Sequence, residues 1–301
     1  MSSESGKRRE HPSTYFVQDR SNEAERRRIT LQDTMVTQSM GGVLPEQADP
    51  NSFHRVLDVG CGTGGWLIEA AKTYPGMTTL AGADISIRMV EFARALATEQ
   101  GVSDRVKFYV MDALRMIEFP QGYFDLVNHR LGWSYLRTWD WPKLLAEYQR
   151  MAYRGGVIRI SESDIFGETN SPALSELHKL AREAFYKAGH SFSLERDSVR
   201  STLPQLMHQH GIYNVQTRPF QLHTNAESEN LEDFIEDTTL TFKNMVPFLQ
   251  RWMRVPDNYQ TLCQQAQVDM HKPDFTATWH MLTAWGTNVR THDKLPMTEH
   301  R

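Results

Sequence analysis

The chain has 301 residues, 40% hydrophobic and 23% charged, with a net charge of -4. That is enough apolar material for a sizeable core in one elaborated domain or two small ones, and the mildly acidic balance argues against a general nucleic-acid binder. No apolar run reaches the ~18 residues that a membrane-spanning helix requires.

In chain order, residues 1–12 are polar, with Lys7, Arg8, Arg9 and Glu10 clustered, and read as a disordered tail. Residues 13–50 form a leading segment in which Ile29, Leu31, Met35 and Val36 recur with a weak helical period, and the Arg26-Arg27-Arg28 triplet reads as a solvated helix face. A Pro, Asp and Asn-rich loop, residues 45–52, separates it from a core beginning at residue 51. The short apolar strand Arg55–Val59 then runs into Gly60-Cys61-Gly62-Thr63-Gly64-Gly65, and a helix is expected over Trp66–Tyr74. Glycines at this density let a backbone turn tightly and approach a ligand closely. Spacing alone leaves the ligand open, because Gly60, Gly62 and Gly65 also satisfy the G-x-G-x-x-G pattern of a nicotinamide or flavin site. Asp58 favours another ligand: a carboxylate two residues before the first glycine suits a cationic amino group and repels a pyrophosphate. Thr78–Ala83 reads as the second strand and ends at Asp84, placed where an acid grips ribose hydroxyls, with Ile85 beside it. A helix over Ile87–Glu99, capped by Ser86 and stopped by Gly101, leads to an alternating strand Val106–Val110 and then Met111-Asp112-Ala113.

The segment Val56–Gly64 closely resembles the first motif of class I S-adenosylmethionine-dependent methyltransferases, hydrophobic-Leu-Asp/Glu-hydrophobic-Gly-x-Gly-x-Gly. The resemblance implies a doubly wound, mostly parallel, seven-stranded α/β sheet of Rossmann-like form. It also implies S-adenosylmethionine as cofactor, S-adenosylhomocysteine as product, and Asp112 as the acid that takes the adenine amino group. The cofactor-binding residues expected on this basis are Tyr15, Asp58, Gly60, Cys61, Gly62, Gly64, Asp84, Ile85, Asp112, Ala113 and Asn128. In such enzymes the leading segment often closes over the cofactor, so Tyr15 or Phe16 could offer an aromatic face to the sulfonium.

Tyr123–Val127 is the expected fourth strand, with Asn128-His129-Arg130 emerging at its carboxyl end beside the transferred methyl. A helix from the Trp141-Pro142 pair to about Ala152, a turn at Arg154-Gly155-Gly156 and a fifth strand over Val157–Ile160 follow. His129 is the expected general base for a hydroxyl or acidic-carbon acceptor, with Glu162 as second candidate; a packing histidine is the alternative reading of the same position. Trp133 and Tyr135, with Trp139, are expected to line the acceptor site. Helices over Leu174–Lys187 and Val199–His210, a sixth strand over Gly211–Thr217 and a seventh over Thr278–Gly286, antiparallel at the sheet edge, complete the core.

The expected organisation is a core at 51–225, a helical insertion or lid at 226–275, the last core strand at 276–290 and a tail at 291–301. Within the insertion, Leu231, Phe234, Ile235, Leu240, Phe242, Met245, Phe248, Leu249 and Trp252 recur at helical spacing. After the fourth strand there is neither an Asn/Asp-Pro-Pro-aromatic motif nor a metal-holding carboxylate cluster, so metal-free, in-line transfer to a small apolar or aromatic metabolite is expected, similar to quinone, sterol and natural-product methyltransferases. A nicotinamide dehydrogenase and a non-catalytic scaffold of the same fold are the alternatives; the first leaves Asp58 and Asp112 without a task. Cys61 and Cys263 form neither a disulfide framework nor a zinc site, and the amino terminus lacks the apolar core of a signal peptide. The expected setting is the cytoplasm and the expected partner a small molecule, with no nucleic acid and no membrane span. Homo-oligomerisation is left open.

Overall fold

The computed structural model describes residues 14–17 and 23–289; the expected tails at 1–12 and 291–301 lie outside the described residues. Five strands, β1 (Arg55–Val59), β2 (Thr79–Asp84), β3 (Val106–Val110), β4 (Phe124–Arg130) and β5 (Ala152–Ser163), run parallel in the order β3-β2-β1-β4-β5. The sheet is covered on both faces, so β1 at its centre buries Val56, Leu57, Asp58 and Val59 alike. Three further strands complete it: β6 (Glu168–Thr169), β7 (Ile212–Asn225) and β8 (Thr276–Asn288).

The last strand, expected at the edge, is an interior one. β8 is antiparallel to β5 on one side and to β7 on the other, so β7 forms the edge. The two-residue β6 pairs with Ala277 and Thr278 on the side that continues β5, since β7 holds the opposite side of those residues.

Helix α1 (Glu23–Ser39) precedes the sheet; α2 (Gly65–Thr73) and α3 (Ile87–Glu99) pack on one face, where Val56, Leu80, Val106 and Leu126 join their buried residues. On the other face Leu57, Val127, Ile158 and Ile160 meet α4 (Trp141–Met151), α5 (Pro172–Lys187) and α6 (Ser198–Gln209). The insertion between β7 and β8 is α7 (Leu231–Asn244), α8 (Val246–Trp252) and α9 (Tyr259–Met270). Among the described residues no helix is long and apolar enough to cross a membrane.

Three local expectations change. Asn128, His129 and Arg130 do not emerge from β4 but belong to it, because β1 and β5 flank them with the register Asn128↔Arg159 and Val59↔His129. The glycine turn at 154–156 is instead a bulge within β5: Phe124 pairs with Ala152 and Leu126 with Val157, so the extra residues loop out at Gly155, whose φ is +95°. Ser86 sits at the N-cap of α3 without a capping side-chain bond; its backbone N–H donates to Asp84 Oδ1 at 2.8 Å.

Helix α1 is held across the carboxyl ends of the strands by charge as well as apolar contact. Met35, Val36 and Met40 pack with Phe220, Leu222 and Met281. Arg28, expected on a solvated face, is buried, donating to Glu25 and, at 3.0 Å, to Asp237 of α7. Its neighbours do lie outward, Arg26 over the Phe92 ring and Arg27 on Glu236.

Candidate active site

β1 delivers the chain to a bend in which Gly60, Gly62 and Gly64 all have positive φ. Two of these glycines serve different purposes. A Cβ at Gly62 would stand 3.4 Å from Ile29 of α1 at the cavity wall, whereas one at Gly64 would stand 2.6 Å from the Phe108 ring and 2.9 Å from Ala93. Gly62 therefore keeps a cavity open, and Gly64 lets α2 settle against the sheet.

Beneath α1 the bend opens on a cavity of about 200 Å³. Asp58, Gly60, Cys61, Gly62, Asp84, Ile85, Asp112 and Ala113 line it, and Tyr15, Ile29, Gln32 and Asp33 close it from the amino-terminal side. Asp84 accepts from the backbone N–H of Gly62 at 3.0 Å, tying the second strand end to the bend. Asp112 accepts from Leu114 N at 2.9 Å and pairs with Arg115 at 3.3 Å. Asp58 is almost fully buried, and burial pushes its carboxyl up to about 7 against the pull of Arg130 and the bond from Asn128.

Asn128 does not line this cavity; it acts behind Asp58. Its Nδ2 donates to Asp58 Oδ1 at 2.8 Å, its Oδ1 accepts from Arg159 at 2.7 Å, and Arg159 is paired at 2.7 Å with Glu46, both fully buried. Arg130, two residues further along β4, does reach the cavity, bonded to Asp33 and, at 3.2 Å, to Thr37. Sequence reading missed Arg130, Asp33 and Gln32. Only Arg130 carried a signal, its place at the carboxyl end of the fourth strand.

His129 lies away from the cavity. It is fully buried in β4, with Tyr135 Oη 3.0 Å from Nε2 and Tyr148 Oη 2.8 Å from Nδ1, and burial drives its imidazole down to about 3. A proton reaching it would have to pass Tyr135, which lines the cavity and packs on Gly60. Glu162 is also fully buried, accepting from Gly132 N at 2.8 Å, and burial raises its carboxyl to about 8. These residues brace the loop after β4.

A second chamber of about 70 Å³ adjoins the first and shares Tyr15, Gln32, Leu131 and Ser134 with it. Its walls are Phe16, Trp133, Phe166, Phe234, Phe242 and Trp279; Trp139 is exposed on the surface instead. Leu131 and Phe166 both line it with left-handed backbone, φ +56° and +64°, a conformation that non-glycine residues adopt at a cost and that concentrates at ligand sites. The polar lining comprises Arg28, Glu168, His178, Asp237, Thr238, Thr241 and Thr278.

The first cavity fits an adenosine-bearing cation. One buried carboxylate at the bend, two more at the next strand ends, and a glycine whose missing side chain leaves room form a cradle that a polyanion would meet as like charge.

Residues 56–156 match the methyltransferase domain model. Over 143 residues the chain is 32% identical to geranyl diphosphate 2-C-methyltransferase of Saccharopolyspora erythraea, covering 46% of this chain and 45% of that protein. Over 113 residues it is 40% identical to ajmaline N-methyltransferase of Rauvolfia serpentina, covering 37% of each. The chain thus spans less than half the length of these curated relatives. Among solved structures, phosphoethanolamine N-methyltransferase 2 of Haemonchus contortus, in complex with phosphomonomethylethanolamine and S-adenosylhomocysteine, shares the fold with a TM-score of 0.53 at 17% identity, over 90% of this chain and 60% of that one. The YcgJ protein of Bacillus subtilis does so with a TM-score of 0.52 at 21% identity, over 83% and 98%. Strand order, glycine bend and domain match together make residues 56–156 a methyltransferase domain by similarity, on a fold shared with S-adenosylmethionine-dependent methyltransferases.

Proposed function

We propose that the chain methylates a small apolar or aromatic metabolite at the expense of S-adenosylmethionine. The observation that carries this is the convergence of Asp58, Asp84 and Asp112 on one cavity that opens into an aromatic chamber. S-adenosylmethionine, when bound, supplies a methyl on a cationic sulfur that is displaced in line. Asp84 would accept the ribose hydroxyls, Asp112 the adenine amino group, and Ile85 and Ala113 would flank the ring. Asp58 would hold the α-ammonium and Arg130 the α-carboxylate. Tyr15 and, from α1, Gln32 and its neighbours exclude water from above, and the insertion helix α7 serves as the outer wall of the acceptor chamber.

Alignment carries most of the rate in this reading: holding two reactants in attack geometry contributes on the order of 7 to 11 kcal/mol. Tyr135, bonded to His129, which Tyr148 holds in turn, stands against Gly60 where it could steer the reacting centre. His129 acts through it as a positioning residue.

Calorimetric titration with S-adenosylhomocysteine and NADH, then transfer of labelled methyl to a panel of phenols, quinols and isoprenoid alcohols, tests the proposal. Binding of the homocysteine nucleoside and label in one acceptor class are expected. NADH binding with S-adenosylhomocysteine ignored would refute it. Tight S-adenosylhomocysteine binding without transfer across the panel would favour a scaffold.

A further inference from the structure

His178 occupies an unusual position. It projects from α5 into the wall of the second chamber, 6% exposed, its ring near-parallel to those of Phe166 (centroids 5.2 Å apart, 20°) and Phe242 (5.9 Å, 26°), which are themselves 5.4 Å apart, so that the three rings form a triangular cluster. Its Nδ1 lies 3.0 Å from the carbonyl oxygen of Gly167. A carbonyl can only accept, so Nδ1 carries the proton and Nε2 of the neutral ring carries a lone pair. Burial and the nearby Arg182 keep the ring from charging, down to about 3. Nε2 has no hydrogen-bond partner among the described residues and is not among the buried atoms sealed from solvent.

Several charged and polar groups of the chamber are engaged with one another or with neighbours. Arg28 holds Asp237, and Arg196 holds Glu168. Thr278 Oγ1 lies 3.0 Å from His223 Nδ1. Nε2 is an acceptor on an aromatic wall with no protein donor, open to the chamber, and a ligand entering there meets it as a hydrogen-bond site.

We propose that His178 determines acceptor specificity, its Nε2 receiving a hydrogen bond from a hydroxyl or N–H group on a flat, otherwise apolar ring. The proposal rests on the second chamber being the acceptor site. It makes His178 a recognition residue, since a ring held neutral by its surroundings accepts a hydrogen bond far better than a whole proton. The stacked Phe166, His178 and Phe242 rings shape the wall for a planar partner.

The probes are phenol and fluorobenzene, near-equal in shape, only one of which donates. They are titrated by ligand-observed NMR into protein first saturated with S-adenosylhomocysteine. The wild-type chain should prefer phenol by about five- to tenfold, the range of one neutral hydrogen bond. H178F, which keeps the stacked ring, should reduce the preference to under twofold with S-adenosylhomocysteine affinity unchanged, and H178Q should restore part of it. In wild-type protein with nitrogen-15 histidine, phenol should shift one Nε2 resonance that fluorobenzene leaves in place, a reading that needs no variant. No preference in the wild type, a preference surviving in H178F, or failure of both probes to bind overturns the proposal while leaving the cofactor reading intact. Failure of S-adenosylhomocysteine itself, seen before any probe is added, removes both.

Discussion

The buried carboxyl of Asp58 makes cofactor affinity depend on pH in a way that tests the site directly. With its carboxyl pushed up to about 7, Asp58 is about 9% ionised at pH 6 and about 91% at pH 8. A ligand whose ammonium pairs only with the carboxylate form sees its apparent affinity scaled by that fraction. S-adenosylhomocysteine should therefore bind about tenfold more weakly at pH 6 than at pH 8. The sign follows from the direction of the shift: raising pH deprotonates Asp58 and strengthens binding. Glu162, raised to about 8, and Asp237, raised to about 6 by burial against the pull of Arg28, titrate in or near the same window. A second ligand separates their effects. 5'-Methylthioadenosine keeps the nucleoside and lacks the amino-acid tail, so it should show little of the dependence, while indirect effects act on both ligands. Calorimetry at pH 6, 7 and 8 measures the difference, and Asp58→Asn should bind S-adenosylhomocysteine weakly at every pH with the slope gone. Equal slopes for the two ligands, or a flat profile for S-adenosylhomocysteine, would refute the placement of the ammonium on Asp58.

Gly62→Val should lower S-adenosylhomocysteine affinity by more than about tenfold for a left-handed strain of about 1 to 2 kcal/mol. Gly64→Ala, whose methyl meets the Phe108 ring, should show the larger fall in melting temperature, and the reverse order in calorimetry and thermal melts would mean that the two glycines have been assigned the wrong tasks. Arg159→Met leaves Glu46 buried without its partner and should cost about 3 to 5 kcal/mol in denaturant unfolding. Adding Glu46→Leu should recover most of that, and no recovery would show that the pair is not what the loss measures. Tyr135→Phe and His129→Phe should each reduce kcat by a similar factor, and the double variant should do no worse than either, because the histidine acts through the tyrosine. Additive losses would give His129 a task of its own.

The half of the site built from consecutive residues was legible in the sequence, and the half built from distant ones was not. Asp58, Gly62, Asp84 and Asp112 each sit at or just past the end of a short apolar strand, so local pattern alone places them together. The second chamber is assembled from the loop after β4, from Phe166, from α5 and from α7, and nothing in the neighbourhood of His178 or Asp237 marks either as facing a cavity. The misplaced elements share one physical cause. Arg28 reads as part of a solvated face because polar residues in isolation avoid burial, and Asn128, His129 and Arg130 read as emerging past the fourth strand, yet each is bonded to a group outside its local window: Asp237, Asp58, Tyr148 and Asp33 respectively. Apolar periodicity cannot register such a residue, since its burial depends on a partner that the local window does not contain. The same partners give the site its stiffness. Asp58 is backed by Asn128, Arg159 and Glu46 in series, and α1 is pinned through Arg28 to α7, so the segment covering the first cavity and the wall of the second chamber are joined by one buried ion pair. Arg28, whose triplet reads as a solvated face in the sequence, is thus the contact through which a displacement of α7 would reach α1.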